Sequence, residues 1–229
     1  MKIIEAFNSF QGEGPDQGKI MTFLRFAKCT RPGNKPLCKW CDTMCKLKNL
    51  KEFHISYEDI IFLLEKTNYN LCITGGEPTL YNNEIENLLN HLYENDIYLN
   101  FLNIETNGYK LLNLIERFDN KHDFGIGVIR FIYSPKIFDH EDLDITVMTL
   151  EALEHLEDRV YVKLVIQDEN DTEMVLSKIS KKVRDGNLWV MPLGATIEEI
   201  SKSSLILSKF AIKYKANISS RLHVIHGIE

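Results

Sequence analysis

The chain has 229 residues, is 44% apolar and 26% charged, and carries a formal net charge of −6 at pH 7. That length and composition suit one globular domain with a sizeable buried core. The negative balance argues against a mainly electrostatic nucleic-acid binder, and no apolar run approaches the length needed to span a bilayer.

The N-terminal stretch MKIIEAFNSF has one lysine and no long apolar segment, so no signal peptide is read and a cytoplasmic location is expected. KIIEAF (2–7) and MTFLRFA (21–27) read as strands flanking the glycine-rich loop QGEGPDQG. YEDIIFLLEKT (57–67) has helical spacing, with Ser56 placed as its N-cap. NLCIT (70–74) is a buried strand that stops at Gly75-Gly76, and NEIENLLNHLYEND (83–96) is an amphipathic helix. YLNFLNIET (98–106) is the next strand, ending at Asn107-Gly108; LLNLIERF (111–118) is helical. Then follow a strand over 125–135, a helix over 151–156, a strand over 159–167 and a helix over 172–183. LWVMPL (188–193) reads as a strand, 197–215 as a long helix, and SRLHVIHG (220–227) as a final strand. Strands alternating with helices indicate βαβ units and a parallel sheet, whose chemistry collects at the C-terminal ends of strands.

Polar residues gather at those ends. The loops carry Cys29, Cys38 and Cys41; Gly75 to Pro78; Glu105 to Gly108; Ser134 to Lys136; and Pro192 to Gly194. Gly-Gly and Asn-Gly singly are ordinary turn formers, but five such loops on one rim are how this architecture builds a site. Four of the five cysteines lie between positions 29 and 45. In a reducing compartment, clustered thiols read as metal ligands or redox groups before structural disulfides. Cys38-x-x-Cys41 by itself fits zinc, an iron–sulfur cluster or a redox dithiol, and Cys29 and Cys45 allow a four-thiolate zinc knuckle. His223 and His226, three apart on a strand, would face opposite ways. Cys72, inside an apolar run, is most simply a small buried hydrophobe.

The stretch from FLRFAKC (23–29) to WCDT (40–43), followed by TGGEP (74–78), resembles the radical S-adenosylmethionine (SAM) superfamily. Eight residues separate Cys29 from Cys38 and two separate Cys38 from Cys41, an enlarged first gap. SFQGEG (9–14), ETNG (105–108), SPK (134–136) and RLHV (221–224) occur in the same order as in one family of that superfamily, the 7-carboxy-7-deazaguanine synthases. The longer loop adds about 1 kcal/mol of closure entropy, which is no obstacle.

The resemblance implies an α/β fold, a partial β/α TIM-like barrel of the radical SAM type. It implies a single domain over 1–229 with an enlarged cluster-binding loop at 29–45. Cys29, Cys38 and Cys41 would hold a [4Fe–4S] cluster with one iron left open for SAM, and Cys45 would stay off it. The backbone of Trp40, Cys41 and Asp42 would cup the adenine. Gly76 and Glu77 would hold the methionine amino group, with Thr106 and Asn107 assisting. Ser134, Pro135 and Lys136 would reach the ribose or carboxylate. The implied reaction is radical ring contraction of 6-carboxy-5,6,7,8-tetrahydropterin to 7-carboxy-7-deazaguanine with loss of ammonia. Phe10, Gln11 and Gly12 would read the pterin edge, Glu13 would support their loop, and Thr74 would touch substrate. Arg25 would pair with the substrate carboxylate through its bidentate fork, and His223 would close the pocket. Thr43 would offer its hydroxyl to Mg²⁺, a hard ion satisfied by few protein groups. A reductant such as flavodoxin or ferredoxin and a homodimer are further expectations; nucleic acid and membrane are not. The ending HVIHGIE lacks the tryptophan of many family members. Two readings compete: a radical SAM activase placing a glycyl radical on a protein partner, and a non-catalytic zinc-binding module.

Overall fold

Short apolar runs bounded by glycine-rich or Asn-Gly turns fold as strands, and amphipathic runs between them fold as helices. The computed structural model describes residues 1–35, 37–38, 41, 50–119, 124–156, 158–166 and 169–228. Its strands are β1 (Lys2–Ile3), β2 (Glu5–Phe10), β3 (Ile20–Phe26), β4 (Phe53–His54), β5 (Asn70–Gly75), β6 (Phe101–Thr106), β7 (Val128–Tyr133), β8 (Val160–Ile166), β9 (Leu188–Pro192) and β10 (Asn217–Ile218). Its helices are α1 (Tyr57–Glu65), α2 (Asn82–Glu94), α3 (Leu111–Asp119), α4 (His140–Ala152), α5 (Glu169–Ile179), α6 (Ile197–Lys213) and α7 (Leu222–His226). Among the described residues no helix is long and apolar enough to cross a membrane.

Three expectations are corrected. The single strand read over 2–7 is broken into β1 and β2. Helix α4 begins at His140, upstream of the run read as helical at 151–156, which supplies only a last turn and a short 3-10 segment at Glu154–Leu156. Asp139 caps it by accepting from the Asp142 backbone N–H. The segment read as a final strand at 220–227 is instead the short helix α7, closed by left-handed Gly227. Its apolar residues alternate too briefly to distinguish the two periods. His223 and His226 therefore sit one helical turn apart rather than on opposite strand faces.

The chain forms two compact units. The first comprises Met1–Ser9 and Ile20–Phe131. In it the sheet order is β6–β5–β3–β2, and β1 pairs antiparallel with β4. Strands β3, β5 and β6 are parallel, with Phe23 opposite Cys72, Arg25 opposite Thr74, and Cys72 opposite Asn103. Phe7 stacks on Phe23 at 5.2 Å, Asn8 accepts from Thr22, and Glu5 meets Arg25, the contacts of a cross-strand pair. Because side chains alternate along a strand, one face of this sheet has an apolar floor of Phe7, Met21, Phe23, Cys72 and Phe101. The same face becomes polar at Arg25 and Thr74, toward the strands' C-terminal ends. The opposite face buries Leu24, Phe26, Leu71, Ile73, Leu102 and Ile104. Helix α1 begins where the sequence places it: the Ser56 hydroxyl accepts from the Asp59 backbone N–H at 3.0 Å.

The second unit comprises Phe10–Lys19 and Ile132–Glu229. Strands β8, β9 and β10 are parallel in the order β10–β9–β8, with Val162 opposite Leu188 and Ile218 opposite Val190. Helix α6 starts at a reciprocal capping box between Thr196 and Glu199. The 10–19 loop folds back on itself, with Gln11 N–H donating to Lys19 and Gly18 N–H to Gln11.

Candidate active site

In the first unit, β3 leads directly into the cysteine segment. Cys29, Cys38, Cys41 and Cys72 are thiols outside any disulfide; the first three are partly exposed and Cys72 is buried. Cys41 N–H donates to the Cys38 carbonyl at 3.3 Å. The Gly75-Gly76 turn fits tightly against this segment. Gly76 N–H donates to Phe26, and Glu77 N–H donates to Lys28 at 2.8 Å. A Cβ on Gly76 would collide with the Lys28 carbonyl and with Cβ of Cys29. Only a residue without a side chain allows the two loops to approach so closely.

Glu77, expected at the SAM amino group, has its side chain turned into the protein and fully buried. Oε1 accepts from the Thr79 N–H at 3.0 Å, the Thr79 hydroxyl at 2.7 Å and the Thr106 hydroxyl at 2.6 Å. Oε2 accepts from the Asn107 N–H at 2.7 Å. Burial pushes this carboxyl above the usual range, while the donors of Thr106, Asn107 and Thr79 pull it back. Asn107 passes the constraint on: Nδ2 donates to the Thr30 carbonyl at 2.7 Å and lies 3.9 Å from Cys29 Sγ. Thr106 and Asn107, expected to touch SAM, thus brace the loop that carries the first cysteine.

Arg25 and Thr74 face each other across β3 and β5, so the structure brings two expected substrate contacts together. Arg25 Nε donates to Glu5 Oε2 at 2.6 Å, with both side chains partly exposed.

In the second unit, the QGEG loop is bound at nearly every residue. Glu13 N–H donates to Gln11 Oε1, Gly12 accepts from the Leu222 N–H, and Gly14 N–H donates to the Ser219 hydroxyl at 2.8 Å. Glu13 receives Lys163 Nζ at 2.9 Å on Oε2 and Arg221 Nε at 3.2 Å on Oε1; His223 Nε2 lies 3.8 Å from the latter oxygen. Burial alone would raise this carboxyl, but Lys163 and Arg221 outweigh it and hold the pKa at about 2. Arg221 also donates to the Gly194 carbonyl. A Cβ on Gly12 would strike the His223 imidazole, so Gly12, Glu13 and His223 form one packed set. Gln11 is buried and Phe10 is exposed. Lys136 Nζ donates to the Ser134 hydroxyl at 3.0 Å, and Pro135 between them is buried.

Trp40, Asp42, Thr43 and Cys45 lie outside the described residues. Among the described residues no group of three or more His, Cys, Asp or Glu side chains converges to hold a metal ion. Sequence reasoning passed over Glu5, Lys163 and Arg221 as site residues. Lys163 had a legible signal: a lysine inside the apolar run VYVKLVI must be paired if it is buried.

No protein-family model matches the chain. It is 30% identical over 207 residues to the 7-carboxy-7-deazaguanine synthase of Methanocaldococcus jannaschii, covering 81% of this chain and 79% of that protein. It is 29% identical over 189 residues to that of Thermoplasma acidophilum, covering 79% of this chain and 77% of the relative. Over 114 residues it is 41% identical to the Haemophilus influenzae synthase, a match covering 48% of this chain but only 46% of that protein. The Methanospirillum hungatei match likewise spans 42% of its relative. The fold is similar to the crystal structure of QueE from Escherichia coli, with a TM-score of 0.59 and 19% identity over 97% of this chain and 94% of that one.

Proposed function

The chain belongs to the 7-carboxy-7-deazaguanine synthase family, and on that premise we propose that it converts 6-carboxy-5,6,7,8-tetrahydropterin to 7-carboxy-7-deazaguanine, releasing ammonia. The observation that carries this reading is the likeness over 207 residues to the Methanocaldococcus jannaschii synthase. The donor chemistry supports it. Cys29, Cys38 and Cys41 are thiols outside disulfides in one segment, and the Gly76 contact holds Cys29 against the turn expected to meet SAM. Three such thiolates suit a [4Fe–4S] cluster with one open iron. When bound, the cluster and SAM supply the hydrogen-abstracting radical.

The chain's own residues bind and orient. With the Glu77 side chain committed inward, this segment offers the SAM ammonium its backbone carbonyl oxygens. Ser134 and Lys136, already hydrogen-bonded to each other, offer a hydroxyl and a cation to the ribose or carboxylate. Arg25 takes the substrate carboxylate and Thr74 a polar edge of the pterin. Phe10, Gln11, Gly12 and His223 hold the ring, with Glu13 fixing their loop. Trp40, Asp42 and Thr43 complete the SAM and Mg²⁺ contacts; a flavodoxin- or ferredoxin-type reductant and a homodimer complete the proposal.

The test is an anaerobic assay with carboxytetrahydropterin, SAM, Mg²⁺ and reductant. Deazaguanine absorbance and a brown protein with about four irons per chain are expected. A colourless protein holding one zinc would overturn the reading. Arg25→Ala should raise KM with the cluster intact.

A further inference from the structure

We infer that Glu5 is a positioning residue for substrate recognition, holding the Arg25 guanidinium so that its terminal edge faces a carboxylate on the ligand. The inference rests on the proposed function, which gives Arg25 a carboxylated substrate.

A guanidinium has two edges that can grip a carboxylate: the side edge formed by Nε with one terminal nitrogen, and the end edge formed by both terminal nitrogens. Glu5 Oε2 meets Arg25 only at Nε, at 2.6 Å. Among the described residues Arg25 makes no other side-chain hydrogen bond, so the end edge is kept for a partner. The pair is pinned at its base, because Ile4 N–H donates to the Arg25 carbonyl at 2.9 Å. Arg25 is also in register with Thr74 on the next parallel strand, which points both side chains to one face. Beneath them on that face lie Phe23 and Cys72, both buried, so the cation cannot fold back over the apolar floor without desolvation.

A purely structural ion pair predicts something different. Two partly exposed charges in water contribute little to stability, and a pair kept only for folding gains nothing from leaving the end edge open. Electrostatics alone even oppose the arrangement, since the Glu5 carboxylate repels a second anion. Orientation must outweigh that repulsion for Glu5 to help binding, and this makes the sign of the effect decisive.

The experiment measures calorimetric binding of 6-carboxytetrahydropterin, and of the same tetrahydropterin without its carboxylate, to the SAM-loaded holoenzyme. Glu5→Ala should weaken binding of the carboxylated ligand about tenfold and leave the other ligand unaffected. Glu5→Gln, which keeps an acceptor for Nε without the charge, should restore most of the affinity. In an Arg25→Ala background, adding Glu5→Ala should change nothing further, because Glu5 acts only through Arg25. Unchanged or tighter binding by Glu5→Ala, or equal losses for both ligands, overturns the inference while the proposed function stands. Failure of the unaltered holoenzyme to distinguish the two ligands overturns both.

Discussion

Glu13 gives the sharpest test of how the QGEG loop is held. Its carboxyl is kept at about 2, against an ordinary 4.5, because Lys163 and Arg221 together outweigh the cost of burial. Each pH decade of difference links to about 1.4 kcal/mol of folding free energy, so the network contributes about 3 kcal/mol at neutral pH. The folded pKa lies below the unfolded one. The contribution is therefore complete above pH 4.5 and drains away as pH falls toward 2. Denaturant unfolding of the unaltered chain and of Glu13→Gln, measured from pH 7 to pH 2, isolates it. Other carboxylates titrate in both proteins and cancel in the difference to the extent that they do not couple to Glu13. The difference should be level above pH 5 and shrink by about 3 kcal/mol between pH 5 and 2. A difference independent of pH across that range would show that Lys163 and Arg221 do not bear on this carboxylate.

Further outcomes follow from buried contacts within each unit. Glu77→Gln must set its amide N–H donors against either the Asn107 N–H at Oε2 or the Thr79 N–H at Oε1; a loss of about 2 kcal/mol is expected in denaturant unfolding, and a loss below 0.5 would contradict the geometry. Asn107→Ala removes the Thr30 bond beside Cys29. Its reconstituted cluster should hold less iron per chain and show an altered electron paramagnetic resonance signal; both unchanged would remove Asn107 from the cysteine loop's support. Gly76→Ala drives a methyl into the Lys28 backbone and Cys29, so it should cost roughly 2 kcal/mol or more and impair cluster assembly. Full iron content with unaltered stability would refute the close approach. Lys163→Met leaves Glu13 with one fewer cation; a KM for carboxytetrahydropterin that rises on mild acidification is expected, and a pH profile matching the unaltered enzyme would count against it.

What the sequence by itself determined was the alternation of elements and the chemistry at their ends. The short continuous apolar run NLCIT forms β5, buried on both faces, and the capped amphipathic run 57–67 forms α1, buried along one face. The order of cysteines, Gly-Gly-Glu and Asn-Gly signalled the family because those residue types serve backbone approach and ligation at fixed positions along the chain. Segment 220–227 reads as a strand from sequence because its few apolar residues fit either period; it folds as helix α7 and carries the His223 that packs on Gly12. Nor could periodicity reveal that Glu77 faces inward, that Asn107 reaches back 77 residues to Thr30, or that Lys163 and Glu13, 150 residues apart, neutralise each other. These pairings join loops and strands that are distant in sequence. Partner choice for a buried charge or amide follows from proximity in space, which only the assembled tertiary structure decides.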